Sequence, residues 1–243
     1  MASLRALAFA LSVLSVAMIP SAAMAIQEPR DDQHYTDVGF FDIHLCNWPG
    51  RGIFYLALFS TEHFADIKKI EIYYPDDQKL GDLDIARYRI LPAKNTQREK
   101  RVFMTNFAMR PGAPEGWFSA TITRHDGSRY RARDLVMNAP IGRASRQNPP
   151  PASEAIPAPS ELSWAPIDGA TRYKVFIKDA FLEQIIFESD LLDVPALKVP
   201  DGLLEKGGAY LWQVHASDVD GHVELGDFNA GSLSEFIAFS VEE

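Results

Sequence analysis

Three residues that can carry out chemistry lie close together in FFDIHLC, residues 40–46. Asp42, His44 and Cys46 alternate there, so in an extended strand they share one face. A cysteine beside a histidine can form a nucleophilic thiol, and His63 could join them as a metal ligand. However, the surrounding sequence lacks a context known to activate a thiol, and no Cys-x-x-Cys or His-Glu-x-x-His is present. We therefore interpret Cys46 as a packing residue, and an enzyme or metal carrier that uses this face is the less favoured alternative.

A second candidate is the acidic corner DVDGHVE, residues 218–224. Asp218, Asp220 and Glu224 offer the oxygen ligands that calcium prefers. The calcium loop of an EF-hand needs glycine at position 6, whereas Gly221 stands at position 4. Asp and Gly are also common turn residues. The sequence predicts a turn here, and a weak calcium site is the alternative.

Other catalytic motifs are missing from the sequence. It has no glycine-rich phosphate loop after a predicted strand and no Gly-x-Ser-x-Gly elbow. We therefore predict no catalytic residue, no metal site and no cofactor.

The elements that must position these residues are short strands. Runs rich in Val, Ile, Phe, Tyr and Thr recur between Gly, Pro, Asn and Asp, which predicts an all-β chain. In IFYLALFS the residues that would face either side of a strand are apolar, as in a central strand covered on both faces. In WPGR, Pro49 and Gly50 stand where a type II turn requires them. Seven strands, typical of an immunoglobulin-like sandwich, are predicted near residues 38–47, 53–61, 67–75, 86–91, 101–109, 117–124 and 128–136.

The hairpin FSATITRHDGSRYRARD has two possible registers. A two-residue Asp126-Gly127 loop would oppose apolar residues with arginines, whereas a three-residue loop pairs Ile122 with Tyr130 and keeps the faces distinct. The pattern favours the three-residue loop, with glycine as the left-handed residue of a bulge. The other face of this hairpin then carries a solvent-facing row, the arginine row, which consists of Arg129, Arg131 and Arg133 beside Thr121 and Thr123.

The C-terminal segment LSWAPIDGATRYKVFI carries Trp164, Gly169-Ala170, Tyr173 and Val175. It resembles the first two strands of a fibronectin type III-like module of bacterial exported proteins, and YLWQVHASDVDG is similar to a later strand of the same module. The resemblance covers residues 161–243. It implies a sandwich fold and does not specify a function. There is no Arg-Gly-Asp tripeptide, so integrin-type recognition is not implied.

Five prolines between Pro149 and Pro159 mark a change of composition. Such a stretch favours extended geometry, which predicts a semi-rigid spacer with neither strand nor helix that limits contacts across it. We therefore predict two tandem β-sandwich domains, immunoglobulin-like at 34–140 and fibronectin type III-like at 161–243, joined by a Pro-rich linker at 141–160.

The first residues have the order of a secretory signal peptide. Arg5 precedes an apolar run and the small-residue stretch SAAMA, which predicts removal of residues 1–25. The apolar run is shorter than the roughly 20 residues of a membrane-spanning helix. Cys46 lies too late to be the lipid-anchored first residue of a mature chain, and a single cysteine excludes an internal disulfide. We expect a soluble periplasmic or extracellular protein, without membrane insertion after cleavage.

Charge is distributed unevenly along the chain. Residues 26–140 carry 16 Lys and Arg against 16 Asp and Glu, whereas residues 161–243 carry 5 against 16. An acidic domain repels nucleic acid and anionic lipid, so we expect neither as a partner.

The favoured function is that of a non-enzymatic binding or assembly module, an accessory subunit of a periplasmic or cell-surface complex. The arginine row is its predicted binding site, either for a separate protein with an acidic surface or for the acidic domain of the same chain. An ordinary solvated sheet face, with carboxylates from neighbouring strands, is the alternative for the row. A glycan-binding accessory protein is the second function, and it would require exposure of Trp48 or Trp117.

Overall fold

The computed structural model describes residues 25–91, 99–218 and 228–243. Within these ranges the chain is built of short β-strands with a single turn of 3-10 helix at Phe64–Asp66. The prediction of an all-β, β-sandwich fold is confirmed. Of the residues described, none forms a helix long and apolar enough to cross a membrane. Residues 1–24, which form nearly all of the predicted signal peptide, lie outside the described ranges.

The first half of the chain contributes ten strands, which include all seven of the predicted ones. They are β1 (Ile26–Gln27), β2 (Tyr35–Thr36), β3 (Gly39–Trp48), β4 (Gly52–Thr61), β5 (Ile67–Tyr73), β6 (Lys79–Asp82), β7 (Tyr88–Leu91), β8 (Lys100–Ala108), β9 (Gly116–Arg124) and β10 (Arg129–Val136).

Two sheets pack face to face in this half. One has the order β1-β10-β9-β5-β6, and the other contains β3-β4-β8-β7. Aromatic rings join the two layers: Tyr55 of β4 lies 5.1 Å from Phe118 of β9 between ring centroids. The alternating apolar residues of FFDIHLC, with Phe41 and Ile43 fully buried, point into this core as their period of two predicts.

The β9–β10 hairpin has the register that the sequence favoured. Ile122 pairs with Tyr130 and Ala120 with Ala132, so the prediction is confirmed. Gly127 has φ 87°, in the left-handed region that glycine occupies without steric cost. The predicted WPGR turn is also present, because Gly50 has φ 70° and the Arg51 amide donates to the Trp48 carbonyl over 3.2 Å.

The second half contributes eight strands. They are β11 (Ser153–Ile156), β12 (Glu161–Ser163), β13 (Arg172–Asp179), β14 (Ile185–Glu188), β15 (Ala196–Lys198), β16 (Ala209–Ser217), β17 (Ala230–Leu233) and β18 (Ile237–Val241). The β12–β15 pair faces the larger sheet that contains β13 and β16. Trp164 and Trp212 are buried between these layers with ring centroids 6.3 Å apart, so both lie in the core.

The two halves share one sheet. Its path runs β11-β18-β16-β17-β3-β4-β8-β7, with β13 and β14 beside β16. The link is a parallel pairing of β17 with β3 that places Ala230 beside Leu45 and Ser232 beside Asn47. The expectation that the linker limits contacts between the halves is therefore wrong. Strand pairing over a long sequence separation depends on the whole fold, which the local proline pattern does not encode.

The Pro-rich segment also departs from a plain spacer. Ser153–Ile156 forms β11 and pairs with β18, so the expectation that the segment contains no strand is wrong. Proline removes its own amide donor only, and the four residues of β11 contain no proline. Ile141 at the start of the segment is buried in the core. The predicted domain boundaries at 140/141 and 160/161 stay predictions.

Candidate binding surfaces

The side chains of Asp42, His44 and Cys46 are closed off from solvent. All three residues are almost completely buried, although the sequence placed them opposite the core face of β3. His44 Nδ1 lies 3.0 Å from Asp42 Oδ2, so the imidazole is hydrogen-bonded to its neighbour on the same strand face. The three residues share one face of β3, as predicted, and there they form a cluster that is closed off from solvent.

Phe228, which precedes β17, closes this cluster. Its ring centroid lies 4.0 Å from that of His44 and 5.4 Å from that of His215 on β16. Gly231 makes this approach possible, since a Cβ there would lie 2.5 Å from the Phe228 ring. The two halves of the chain therefore meet in an aromatic cluster of His44, Phe228 and His215.

Burial determines the protonation state of the two histidines in this cluster. Desolvation lowers the pKa of His44 to about 3, with the nearby His215 as a second cause. Desolvation likewise lowers the pKa of His215 to about 4, assisted by the charge of Lys174. Both imidazoles are therefore neutral at pH 7.

Cys46 is a poor nucleophile in this setting. Burial raises the pKa of its thiol far above the usual range, and the neighbouring Asp42 raises it further. The candidate metal ligand His63 is exposed beside the 3-10 turn. Across residues 25–91, 99–218 and 228–243, no three His, Cys, Asp or Glu residues come together as a metal site.

The acidic corner is only partly described. Asp218 accepts hydrogen bonds from the Ala230 amide over 2.9 Å and from Asn229 Nδ2 over 3.4 Å. It thus holds the start of β17 against the end of β16. Asp220, Gly221 and Glu224 lie outside the described residues, so the choice between turn and calcium site stays a prediction.

The arginine row lies on the outer face of the five-stranded sheet but is half-buried rather than fully solvent-facing. The N-terminal segment explains the difference, because β1 pairs in parallel with β10 beside it. Glu28, just after β1, accepts from Arg131 over 3.3 Å and from Arg133 over 3.0 Å. The carboxylate thus comes from a neighbouring segment of the first half. Arg129 forms no ion pair with any described residue.

A groove of about 700 Å³, which the sequence analysis did not predict, opens on the outer face of β3, β4 and β8. Leu58, Val102 and Met104 line its centre, and the register places Leu58 directly between Asp42 and Met104. The apolar residues of IFYLALFS that face away from the core are the sequence signal that could have indicated this groove. These residues predicted that the outer face of the strand is covered, whereas Leu58 is only half-buried.

Charged residues surround this apolar floor. Arg30 pairs with Asp37 over 2.7 Å, and Lys174 of β13 pairs with Glu188. Arg89 of β7 is exposed and forms no ion pair within the described ranges. The groove therefore combines an apolar floor with the guanidinium of Arg89, which pairs with no carboxylate in the described part of the chain.

The two tryptophans of the first half differ in exposure. Trp48 is half-buried and packs edge-on against Phe54, with ring centroids 5.1 Å apart. Trp117 is 48% exposed and pairs across the β9–β10 hairpin with the exposed Leu135. It lies on the same sheet face as the arginine row.

No protein-family model and no curated protein matches the chain. Among solved structures, the immunoglobulin domains IG1+IG2 of DIP-gamma are 12% identical, with 83% of this chain and 98% of that chain covered and a TM-score of 0.24. The FN1–FN3 domains of chicken CNTN1 are 12% identical (83% and 65% covered, TM-score 0.26). The mixed-linkage glucan protein SGBP-B of Bacteroides ovatus is 11% identical (91% and 46% covered, TM-score 0.24). At these values the sandwich assignment rests on the sheets of this chain itself.

Proposed function

We propose that the protein is an exported, non-enzymatic binding module that holds an extended segment of a partner protein in the groove on β3, β4 and β8. It would serve as an accessory subunit of a periplasmic or cell-surface complex. The observation that carries this proposal is the combination of a half-buried apolar floor with Arg89 at its rim, which forms no ion pair with any described residue. Concave apolar surfaces with a few polar anchors are typical of binding sites.

The composition of the groove specifies the partner. Apolar side chains of the partner would cover Leu58 and Met104, because burial of that floor is favourable by roughly 25 cal/mol for each Å² removed from water. A carboxylate of the partner would pair with Arg89, since a guanidinium presents a planar fork to a carboxylate. The expected partner segment is therefore apolar with at least one acidic residue. This agrees with the acidic partner expected from the sequence and moves its contact from the arginine row to the groove.

The non-enzymatic part of the proposal is supported by the environment of Cys46. A nucleophilic cysteine needs an accessible thiolate. Here the thiol is 1% exposed and burial raises its pKa. His44 has its Nδ1 hydrogen-bonded to Asp42.

Site-specific photo-crosslinking in the native envelope tests the groove. Benzoylphenylalanine at position 58 is expected to yield one adduct of defined mass, and the same group at the exposed position 135 is not. Arg89→Glu should abolish that adduct, while Lys68→Glu, an exposed lysine on β5, should leave it unchanged. Identical adducts at both positions, or an adduct indifferent to Arg89→Glu, would refute the groove as the binding site.

Exposed Trp117 favours glycan binding as a second candidate, because a flat indole on an open sheet can stack on a sugar ring. The retardation of the protein in gels that contain soluble polysaccharides measures this directly. Trp117→Ala should abolish any retardation and Trp48→Ala should not. Migration of the unmodified protein independent of polysaccharide would eliminate this candidate.

The export component rests on the N-terminal sequence. The exported protein is expected to begin at Ile26, where β1 also begins. Intact mass spectrometry of the product decides this, and a chain that retains residues 1–25 would contradict it.

A further inference from the structure

One edge of the shared sheet is apolar and exposed. β14 pairs only with β13 among the described strands, and Ile185 at its start is 57% exposed. The preceding turn adds Phe181, which is 81% exposed, and Leu182. The main-chain groups on the outer side of β14 are thus available to another strand.

The sequence of this edge is acidic, although Lys178 of β13 pairs in the sheet with Ile185. Residues 179–197 contain no Lys, Arg or His. They contain five acidic residues, which are Asp179, Glu183, Glu188, Asp190 and Asp193. Among the described residues, Glu188 alone of these five pairs with a base, Lys174 of the adjacent β13. We refer to residues 179–194 as the acidic edge.

The opposite edge of the sheet is also apolar but basic. β7 pairs only with β8 among the described strands, and Ile90 is 56% exposed, with Tyr88 and Leu91 exposed beside it. Arg87 and Arg89 are exposed in the same segment. The segment 87–91 contains no acidic residue. We refer to it as the basic edge.

The acidic and basic edges are the two ends of one continuous path, β14-β13-β16-β17-β3-β4-β8-β7. Each pairing on this path is antiparallel except the parallel β17–β3 pairing, so β14 and β7 run in the same direction. A second molecule that continues the sheet in the same orientation would therefore place its β7 parallel to β14 of the first.

Charge determines which edges can pair. Two acidic edges, or two basic edges, would bring like charges into opposition, which destabilises cross-strand pairs. An acidic edge beside a basic edge brings opposite charges together and buries the apolar residues of both. The distribution of charge thus disfavours symmetric pairing and favours pairing of unlike edges.

We propose that the acidic edge of one molecule binds the basic edge of a second copy of this chain by β-sheet extension. The interface is heterologous, so a pair of molecules keeps one free acidic edge and one free basic edge, and the assembly grows into an open chain or closes into a ring. This contact shares Arg89 and Leu91 with the rim of the groove but lies outside its floor, and it does not require the proposed partner.

Sedimentation velocity of the purified exported protein measures the assembly. The average mass is expected to rise with concentration beyond that of a dimer. It should fall towards that of a monomer at about 1 M salt, where the Debye length is about 3 Å. Hydrogen exchange of the same unmodified protein should slow in residues 88–91 and 185–188 as concentration rises.

Two variants that each block one edge make the test specific. Ile185→Lys places a cation on the acidic edge opposite the arginines of the partner copy, and Ile90→Glu places a carboxylate on the basic edge. Each variant alone still has one intact edge of one kind, so it is expected to be monomeric. An equimolar mixture should form a dimer and nothing larger, because one intact acidic edge meets one intact basic edge.

Leu135→Lys is the matched control, since Leu135 is an exposed apolar residue on the other sheet, and it should assemble like the unmodified protein. A monomer at every concentration, with unchanged hydrogen exchange at both edges, would overturn the proposal. A symmetric dimer that either variant retains, or a mixture of the two variants that stays monomeric, would overturn it as well.

Discussion

The imidazole of His44 and the ring of Phe228 lie 4.0 Å apart between centroids, and this contact joins residues from opposite halves of the chain. His215 contacts the same phenylalanine in an edge-to-face arrangement, with ring centroids 5.4 Å apart. Two neutral histidines thus lie in the junction that β17 and β3 form. Protonation of His215 would place a charge in a buried site near the cation of Lys174.

Acidification is expected to destabilise the protein because it favours protonation of His44 and His215, which the folded state disfavours. The folded-state pKa values of His44 and His215, about 3 and about 4, lie below the ordinary value of 6.5. The unfolded state therefore binds more protons as pH falls below 6.5, so stability falls as pH falls. His215 alone should account for a loss on the order of 3 kcal/mol between pH 6.5 and 4.

Urea unfolding at several pH values measures this slope. His215→Gln should flatten it, and His125→Gln, at an exposed hairpin position, should not. If the unfolding free energy depended equally on pH in both variants, the proposed role of the buried histidines would be contradicted.

Cys46 is expected to resist modification in the folded protein. The thiol is buried and its pKa is raised, so a disulfide reagent meets neither an accessible sulfur nor a thiolate. Labelling at pH 8 should be complete in denaturant and should proceed in buffer only at the rate of unfolding. Rapid labelling in buffer, with the circular dichroism unchanged, would reopen an active role for the thiol.

Trp212→Ala is expected to cost about 3 to 5 kcal/mol of unfolding free energy, because the indole is 0% exposed and the substitution leaves a large cavity. Trp117→Ala removes the same side chain from an exposed position and should cost less than about 1 kcal/mol. Denaturant unfolding compares the two. Similar losses in the two variants would show that burial does not govern stability here.

Replacing the three residues of the arginine row by glutamine should have a small effect on stability. Arg131 and Arg133 share one exposed carboxylate, Glu28, and such surface pairs contribute about 0 to 1 kcal/mol each. The substitution should instead loosen β1, which hydrogen exchange of residues 26–28 would detect. Loss of partner recovery in the variant at low salt, with β1 protection unchanged, would restore the row as a docking site.

Residues 161–243 produced alone are expected to melt cooperatively, since Trp164, Trp212 and their neighbours form a core within this segment. The melting temperature should be lower than in the full chain, because β17 loses β3 and β18 loses β11. Calorimetry of the segment and of the full chain gives the difference. A broad, non-cooperative transition would show that the C-terminal half depends on the first half for folding.

Local pattern accounts for what the sequence predicted correctly. The alternation around Ile122 and Tyr130 has a period of two, and a one-residue slip would expose the core face, so the register follows from the residues themselves. The burial of Trp212 follows from the same alternation along β16. These properties depend on residues close together in the chain.

The sites could not be predicted in the same way. Glu28 reaches the arginine row because β1, two residues long, joins an edge far away in sequence. The groove exists because nothing among the described residues fully covers Leu58, and an apolar strand face looks the same in sequence whether covered or open. Similarly, AGSL of β17 has no alternation that identifies β3 as its neighbour.

The β17–β3 pairing also gives the molecule a mechanical direction. The two strands run parallel, and the Leu45 amide donates to the Asn229 carbonyl over 2.9 Å at the start of their contact. A tensile force along the strands loads these hydrogen bonds together in shear, whereas a force across the sheet opens them one after another. The junction is therefore stiff to a pull along β3 and weaker to peeling at its edge.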